Sequence, residues 1–544
     1  MSDAVLGAVP RDVPAVAKPQ LDKKPSAPGA IAFILVLLGG LAFAAYSILT
    51  DTANAGEPLA IAAFGFLGLA LLIALGFEFV NGFHDTANAV ATVIYTHSLP
   101  PLVAVVWSGF INFVGVLFSS GAVAYGIIAL LPVELILQVG SGAGYAMIFS
   151  LLLAAIIWNL GTWALGIPNS SSHALIGSVM GVGLANQMMA KAGQATSGVD
   201  WSQASKVLST LLISPLVGFA SAAVLLLVMK VLIRSKKLYD APTDASPPPW
   251  WIRGLLILTC TGVSFAHGSN DGQKGMGLIM LILIGVAPTA YALNRTMPDS
   301  SAPAFIAAAH KANAVFAAHA AGSPAVDVVA ARAKVSDALK SKKVEDPAVY
   351  AALAVVSNDI AQSVQSSGNI RKIPAAITPN LRNDMYLVSD AVGLLGKSKT
   401  AGLSPDEAKT IKGFLGKLQS GTRFIPVWVK VSVALALGLG TMIGWKRIVV
   451  TVGEKIGKTH LTYAQGAAAE LVAAVTIFGG DALGMPMSTT HVLSSGVAGT
   501  MAANGSGLQW STLRSIALAW VTTLPAAMAI AGGLFFVLRH LSGG

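Results

Sequence analysis

The most constraining feature of the 544-residue chain is a set of polar groups embedded in an apolar run. Residues 59–75 are apolar enough to enter a bilayer, and the run then meets Glu78, Asn81, His84, Asp85 and Asn88 in GFEFVNGFHDTANAVAT at 76–92. A charged side chain near the centre of a membrane costs about 2.5–3.5 kcal/mol on insertion scales. Several polar groups in one spanning segment therefore point to an ion or substrate path, the competing reading being a helix end wetted at the interface. The stretch occurs twice. In FAHGSNDGQKGMGLIM at 265–280, setting Asp85 over Asp271 pairs Gly82 with Gly268, His84 with Asn270, Asn88 with Lys274 and Asn81 with His267. A second motif repeats in the same order, as GIPNSSSH at 166–173 and GMPMSTTH at 484–491. Two motifs, each present twice, describe a duplicated membrane protein. Interrupted apolar segments at matching positions of two halves mark a transporter site near the midplane.

Composition agrees. Hydrophobic residues make up 54% and charged residues 11%, and a mean hydropathy of +0.69 places the chain in the polytopic membrane class. The net charge of +10 comes without a basic–aromatic platform, so nucleic acid is not an expected partner. The one cysteine, Cys260, forms no intramolecular disulfide and reads as a small hydrophobe in an apolar segment.

Along the chain, residues 1–30 read as a disordered tail and 31–50 as an extra N-terminal membrane helix, with Ala53-Asn-Ala55 offering a signal-peptide alternative. Residues 59–233 form the first membrane repeat and 234–253 a basic cytoplasmic linker. The second repeat comprises 254–293 and 424–540, divided by a helical extramembrane insert at 294–423 in which Ser404-Pro-Asp-Glu407 starts a helix. Glycines at 76 and 82 predict a broken or tilted helix over 59–95, 127–139 reads as a partial span, and 166–186 and 484–504 read as re-entrant hairpins. Lys and Arg concentrate in the tail, at 234–253 and at 446–458, whereas 51–58 carries Asp51 and Glu57 and neither Lys nor Arg. The positive-inside rule puts the three basic stretches in the cytoplasm. Segment 59–98 then runs inward and 254–293 outward, so the halves are inverted and the insert lies outside. The expected fold is an all-α polytopic membrane protein, with two inverted repeats, broken helices and two re-entrant hairpins.

The chemistry follows from the repeats. In each hairpin Pro ends one half-helix, and Ser170-Ser171-Ser172 or Ser488-Thr489-Thr490 starts the next. A helix N-terminus offers free N–H groups and a positive dipole end, which bind anions. The alternative is that small residues only allow close helix packing. His173 and His491 close the two motifs and suit proton handling or simple packing. Asp85 and Asp271 are placed to hold a proton or a metal cation beside the anion, lowering the cost of its charge in the membrane. Lys274 breaks the symmetry: its ammonium pairs with a carboxylate, contacts an oxyanion or replaces a metal cation. Glu78 joins the proton-coupling candidates, while helix-to-helix hydrogen bonds suffice for Asn159, Gln465 and Glu470. A metal enzyme built on His84 and Asp85 lacks HxxxH or HExxH spacing, and paired broken segments suit alternating access better than a channel.

These residues resemble the PiT family of inorganic phosphate transporters, in particular its bacterial low-affinity, proton-coupled branch. The resemblance rests on NGFHDTANAVATVIYT at 81–96, HGSNDGQKGMGLIMLILIGVAP at 267–288, WNLGTW at 158–163, TYAQG at 462–466 and MPMSTTHVLSSGVAGTM at 485–501. It implies an inverted-repeat secondary transporter in the cell inner membrane, multi-pass, with phosphate bound near the two Asp motifs and the two hydroxyl runs, so that Asp85, Asn88, Asp271, Ser170–Ser172 and Ser488–Thr490 carry over; Lys274 is a phosphate contact only by its own chemistry. Protons are the implied coupling ion. The resemblance implies no cofactor, although the substrate of this branch is thought to travel as a neutral complex with a divalent metal. A homo-oligomer is compatible with the chain, and sulfate is the rival substrate. Sodium-coupled members resemble GANDVANA in both halves; here the second copy reads GSNDGQK, with Lys274 where the later Asn would stand. A cation there repels sodium, which points to protons.

Overall fold

The computed structural model describes residues 18–23, 25–56, 59–190, 198–199, 201–324, 326–398 and 400–542. These are helical, with one isolated bridge between Gly457 and Leu508 and no strand among the described residues. The membrane part comprises α1 (Ala27–Asn54), α2 (Ile61–Asp85), α3 (Ala87–Tyr95), α4 (Pro101–Phe118), α5 (Gly142–Ala164), α6 (Ser171–Met188) and α7 (Trp201–Leu232). It continues after the linker with α8 (Trp250–Val286), α9 (Val427–Thr441), α10 (Tyr463–Ala482), α11 (Thr489–Asn504) and α12 (Trp510–Leu541). Among the described residues, 6 helices are long and apolar enough to cross a membrane: α1, α2 continued by α3, α4, α5, α7 and α12. α8, at 37 residues, is longer than any of them but more polar. It packs on α2, α4 and α10, so it needs little lipid-compatible surface.

The helix over 59–95 is scarcely broken, contrary to expectation. Thr86 alone separates α2 from α3 and itself lies in the right-handed helical region (φ −72°, ψ −21°). The second copy, α8, runs unbroken for 37 residues. The glycines of the motif serve contact instead of kinking. A Cβ on Gly82 would lie 2.2 Å from the Leu437 carbonyl oxygen, and one on Gly268 2.2 Å from that of Asn112. Gly268→Ala must therefore push α4 away from α8. Overpacking of this kind costs about 1–3 kcal/mol, and a lowered unfolding midpoint in detergent is the expected result; an unchanged midpoint would refute the contact.

The real interruptions lie in the hairpins. Residues 166–170 and 484–488 are non-helical, and α6 and α11 begin immediately after them. Gly166 and Gly484 both take φ +66°, a left-handed turn that glycine adopts without strain, two residues before Pro168 and Pro486.

Helix pairing follows a two-fold exchange between the halves. α2 packs on α9 as α8 packs on α4; α5 on α2 and α6 as α10 on α8 and α11; and α12 on α5 and α6 as α7 on α10 and α11. α4 and α9 cross each other, with Gly109 and Gly438 in mutual backbone contact.

The first helix starts inside the expected tail, at Ala27, because Ser26 caps it by accepting from Gly29 N at 3.3 Å. It docks on α9, and Asp51 accepts from Tyr291 and Trp428, each at 3.0 Å. Residues 1–17 and Glu57 lie outside the described residues. The 127–139 partial span is realised as two short helices, Ala122–Ile128 and Val133–Leu137. The basic stretches meet at one end of the molecule: Lys18 pairs with Glu454 at 2.8 Å, Lys446 with Asp22 at 3.1 Å, and Arg253 donates to the Ser98 carbonyl.

The insert has its own core, formed by Ser301–His319, Val328–Ser341, Pro347–Ser367, Thr378–Leu395 and Pro405–Thr422. Ser404 and Glu407 form the expected capping box. Arg382 and Asn383 tie the insert to the Ile136 and Leu137 carbonyls.

Candidate functional site

The Asp motifs of α2 and α8 and the hairpin ends of α6 and α11 meet in the interior. Asp85, the last residue of α2, is buried and receives hydrogen bonds from both hairpins. Ser171 N–H donates to Asp85 Oδ2 at 3.3 Å, and the Ser171 hydroxyl is shared between Asp85 and Asn81. From the other hairpin, Thr490 donates to Asp85 Oδ1 at 3.1 Å, while Asn88 Nδ2 reaches Thr490 at 3.0 Å. His84 Nδ1 lies 2.9 Å from Asp85 Oδ1, and its Nε2 meets Thr162. The Asp85 carboxylate thus sits at the N-terminus of α6, in the position an anionic ligand takes at a helix start.

Asp271 lies on α8. Lys274 Nζ is 2.5 Å from its Oδ2, both side chains being fully buried, and His267 Nε2 is 3.4 Å away. His267 Nδ1 contacts Asn112 at 2.8 Å. One ligand atom each of Asp85, His267 and Asp271 lie within 4.8 Å of one another, so the acidic residues of the two halves share one centre. The two carboxylates and an imidazole fit a divalent cation, although Lys274 already neutralises one of them.

The six hydroxyls do not act alike. Ser170 and Ser488 are N-caps, accepting from His173 N at 3.3 Å and His491 N at 3.2 Å. Ser172 donates to the Met487 carbonyl at 2.7 Å, which joins the hairpins, and Asn270 brackets that loop through Met485 O and Met487 N. Ser171 and Thr490 hold Asp85, and the Thr489 hydroxyl has no partner among the described residues. Asn88 Oδ1, Asp271 Oδ1 and His267 Nε2 are also buried without a hydrogen bond. Orphaned polar atoms are rare in folded interiors, and these four belong to the two Asp motifs and one hairpin end.

The His173 and His491 rings lie against each other, tilted by 38° with centroids 4.4 Å apart, and the His491 centroid is 4.1 Å from that of Trp520. They bond to neither central carboxylate. Two imidazolium rings so close would repel, so at most one of the pair carries a charge. Glu78 accepts from Gly275 N at 2.6 Å and from Asn81 at 3.3 Å, bridging α2 to α8 and joining Asp85 through Asn81 and Ser171.

Sequence reasoning passed over His267, Asn112, Thr86 and Asn270 as site residues, and named Asn81 only among the polar groups of the first segment. His267 and Asn81 were visible as partners when the two copies are superposed. Asn112 gave no such signal, because its counterpart across the repeat is Leu437, the same pair that meets Gly268 and Gly82.

The phosphate transporter family matches residues 81–531. The chain is 41% identical to the low-affinity inorganic phosphate transporter PitB of Escherichia coli (strain K12), over 88% of this chain and 98% of that one. It is 43% identical to PitA of the same strain, over 86% of this chain and 97% of that one. Among solved structures it is similar to a sodium-dependent phosphate transporter, 19% identical, covering 87% of this chain and 99% of that chain at a TM-score of 0.48. These relatives are named as transporters and not as enzymes. The matches run through both Asp motifs and both hairpins, and the chain belongs to the phosphate transporter family.

Proposed function

We propose that the protein takes up inorganic phosphate across the cell inner membrane with protons, by alternating access between two inverted halves. The observation that carries this reading is the meeting of Asp85 and Asp271 with the two hydroxyl-tipped helix starts in one buried centre. Phosphate displaces the Asp85 carboxylate from the Ser171 N–H and the two hydroxyls. Its arrival is eased by a proton on the released carboxylate, or by a divalent metal travelling with it and held by Asp85, His267 and Asp271. Phosphate near neutral pH keeps a proton to share with a carboxylate and sulfate does not, which favours phosphate. The relatives named as low-affinity inorganic phosphate transporters support the substrate. Lys274 supports protons over sodium, because its ammonium fills the place beside Asp271 where a sodium ion would lie.

The test is uptake of labelled phosphate into proteoliposomes under an imposed pH gradient, with and without sodium. An inward proton gradient should drive accumulation, sodium should leave it unchanged, and excess sulfate should not compete. Accumulation driven by sodium alone would overturn the coupling, and full competition by sulfate the substrate.

A further inference from the structure

One buried carboxyl lies outside the central site and outside any ion pair among the described residues. Glu470, on α10, is fully buried. It accepts from Thr259 of α8 at 2.5 Å and from Thr92 of α3. The Cys260 thiol of α8 lies near it. Neither α7 nor α11, which also pack on α10, brings a Lys, Arg or His within ion-pair distance among the described residues. An uncompensated carboxylate in a membrane interior is costly, and such residues mark proton relays and ion paths.

The duplication supplies a control for the alternative that Glu470 merely joins helices. Shifting by the same offsets that pair the Asp motifs and the hairpins takes Thr92 to Leu278, Thr259 to Ile73 and Glu470 to Leu152. Those counterparts pack in the apolar core of the other half, with Leu278 and Leu152 fully buried and Ile73 against them. The fold thus closes the equivalent place with hydrocarbon alone. A carboxyl with two hydroxyl donors at one of two equivalent places answers a need other than packing.

Its position fits a proton's exit. Thr92 follows Asp85 by about two helical turns and Thr259 precedes Asp271 by about three. Both displacements lead from the central pair toward the end where the basic stretches gather. Glu78 lies on the opposite side, about two turns before Asp85, bonded to Gly275 beyond Asp271.

We propose that Glu470 is the inner proton station of the transporter. A proton leaving the central carboxylates forms an O–H bond on the Glu470 carboxyl, and that bond breaks when the proton passes to the cytoplasm, restoring the carboxylate. This rests on the proton-coupled reading above, and the experiment keeps the two apart. Reconstituted wild type, Glu470→Gln and Glu470→Asp are compared in two assays: accumulation driven by an inward pH gradient, and exchange of labelled for unlabelled phosphate at equal pH. Gln accepts from one threonine hydroxyl and donates its amide N–H to the other, and it carries no titratable proton. Glu470→Gln should lose about tenfold or more of gradient-driven accumulation, with exchange close to wild type and with Glu470→Asp recovering the response. An undiminished response in Glu470→Gln overturns the proposal, and so does equal loss of exchange and accumulation, which marks a structural role. Absence of any gradient response in the wild type instead overturns the coupling itself.

Discussion

Asp85→Asn is expected to lower phosphate uptake by about a hundredfold or more while leaving the protein folded and in the membrane. Asp85 collects the Ser171 N–H, the Ser171 and Thr490 hydroxyls and the His84 ring. Hydrogen bonds to a charged group are worth about 1.5–3 kcal/mol each, and losing the equivalent of two from the transport cycle gives a factor of that size. Asparagine matches the carboxylate in shape, so the helices still pack. It presents an amide donor to groups that are already donors, and it neither takes a proton nor balances a cation. Asp271→Asn should be equally severe, since it strands the Lys274 ammonium in a fully buried place. Initial rates of labelled phosphate uptake, normalised to the amount of protein in the membrane, are the measurement. Near-normal rates in either variant would remove that acid from the site.

Lys274→Asn is expected to make transport depend on sodium. The Lys274 ammonium and the Asp271 carboxylate are buried with nothing between them. Breaking a buried pair from one side costs about 3–5 kcal/mol. A small cation bound among Asp85, His267 and Asp271 relieves that cost. Uptake by the variant should be weak without sodium and recover as sodium is added, whereas the wild type stays indifferent. Activity that ignores sodium in the variant would show that Lys274 does not exclude the ion.

Much of this site was legible because the chain states it twice. Asp85 over Asp271 and the hairpin motifs over each other located the residues that converge, and the Ser404 cap was readable from local chemistry alone. One feature was misread for a physical reason. Gly76 and Gly82 suggested a break, but α2 is continuous there, and the missing side chain at Gly82 admits a neighbouring carbonyl; only packing partners reveal which use a glycine has. Ser170 and Ser488, expected at the substrate, each cap their own helix as well, a use of the first hydroxyl that only the folded helix start displays. α8 shows the limit of hydropathy. A helix enclosed by other helices is free to be polar, and its polarity marks function more than exposure to water.

The crossing of α4 and α9 carries a mechanical consequence. Where Gly109 meets Gly438, a Cβ on either residue would come within 2.5 or 2.7 Å of the other's carbonyl oxygen, so backbone lies against backbone with the Met442 and Phe113 side chains beside it. Helices that close leave no room for even a methyl group, so alanine at either glycine must part the two halves at this point and loosen their packing.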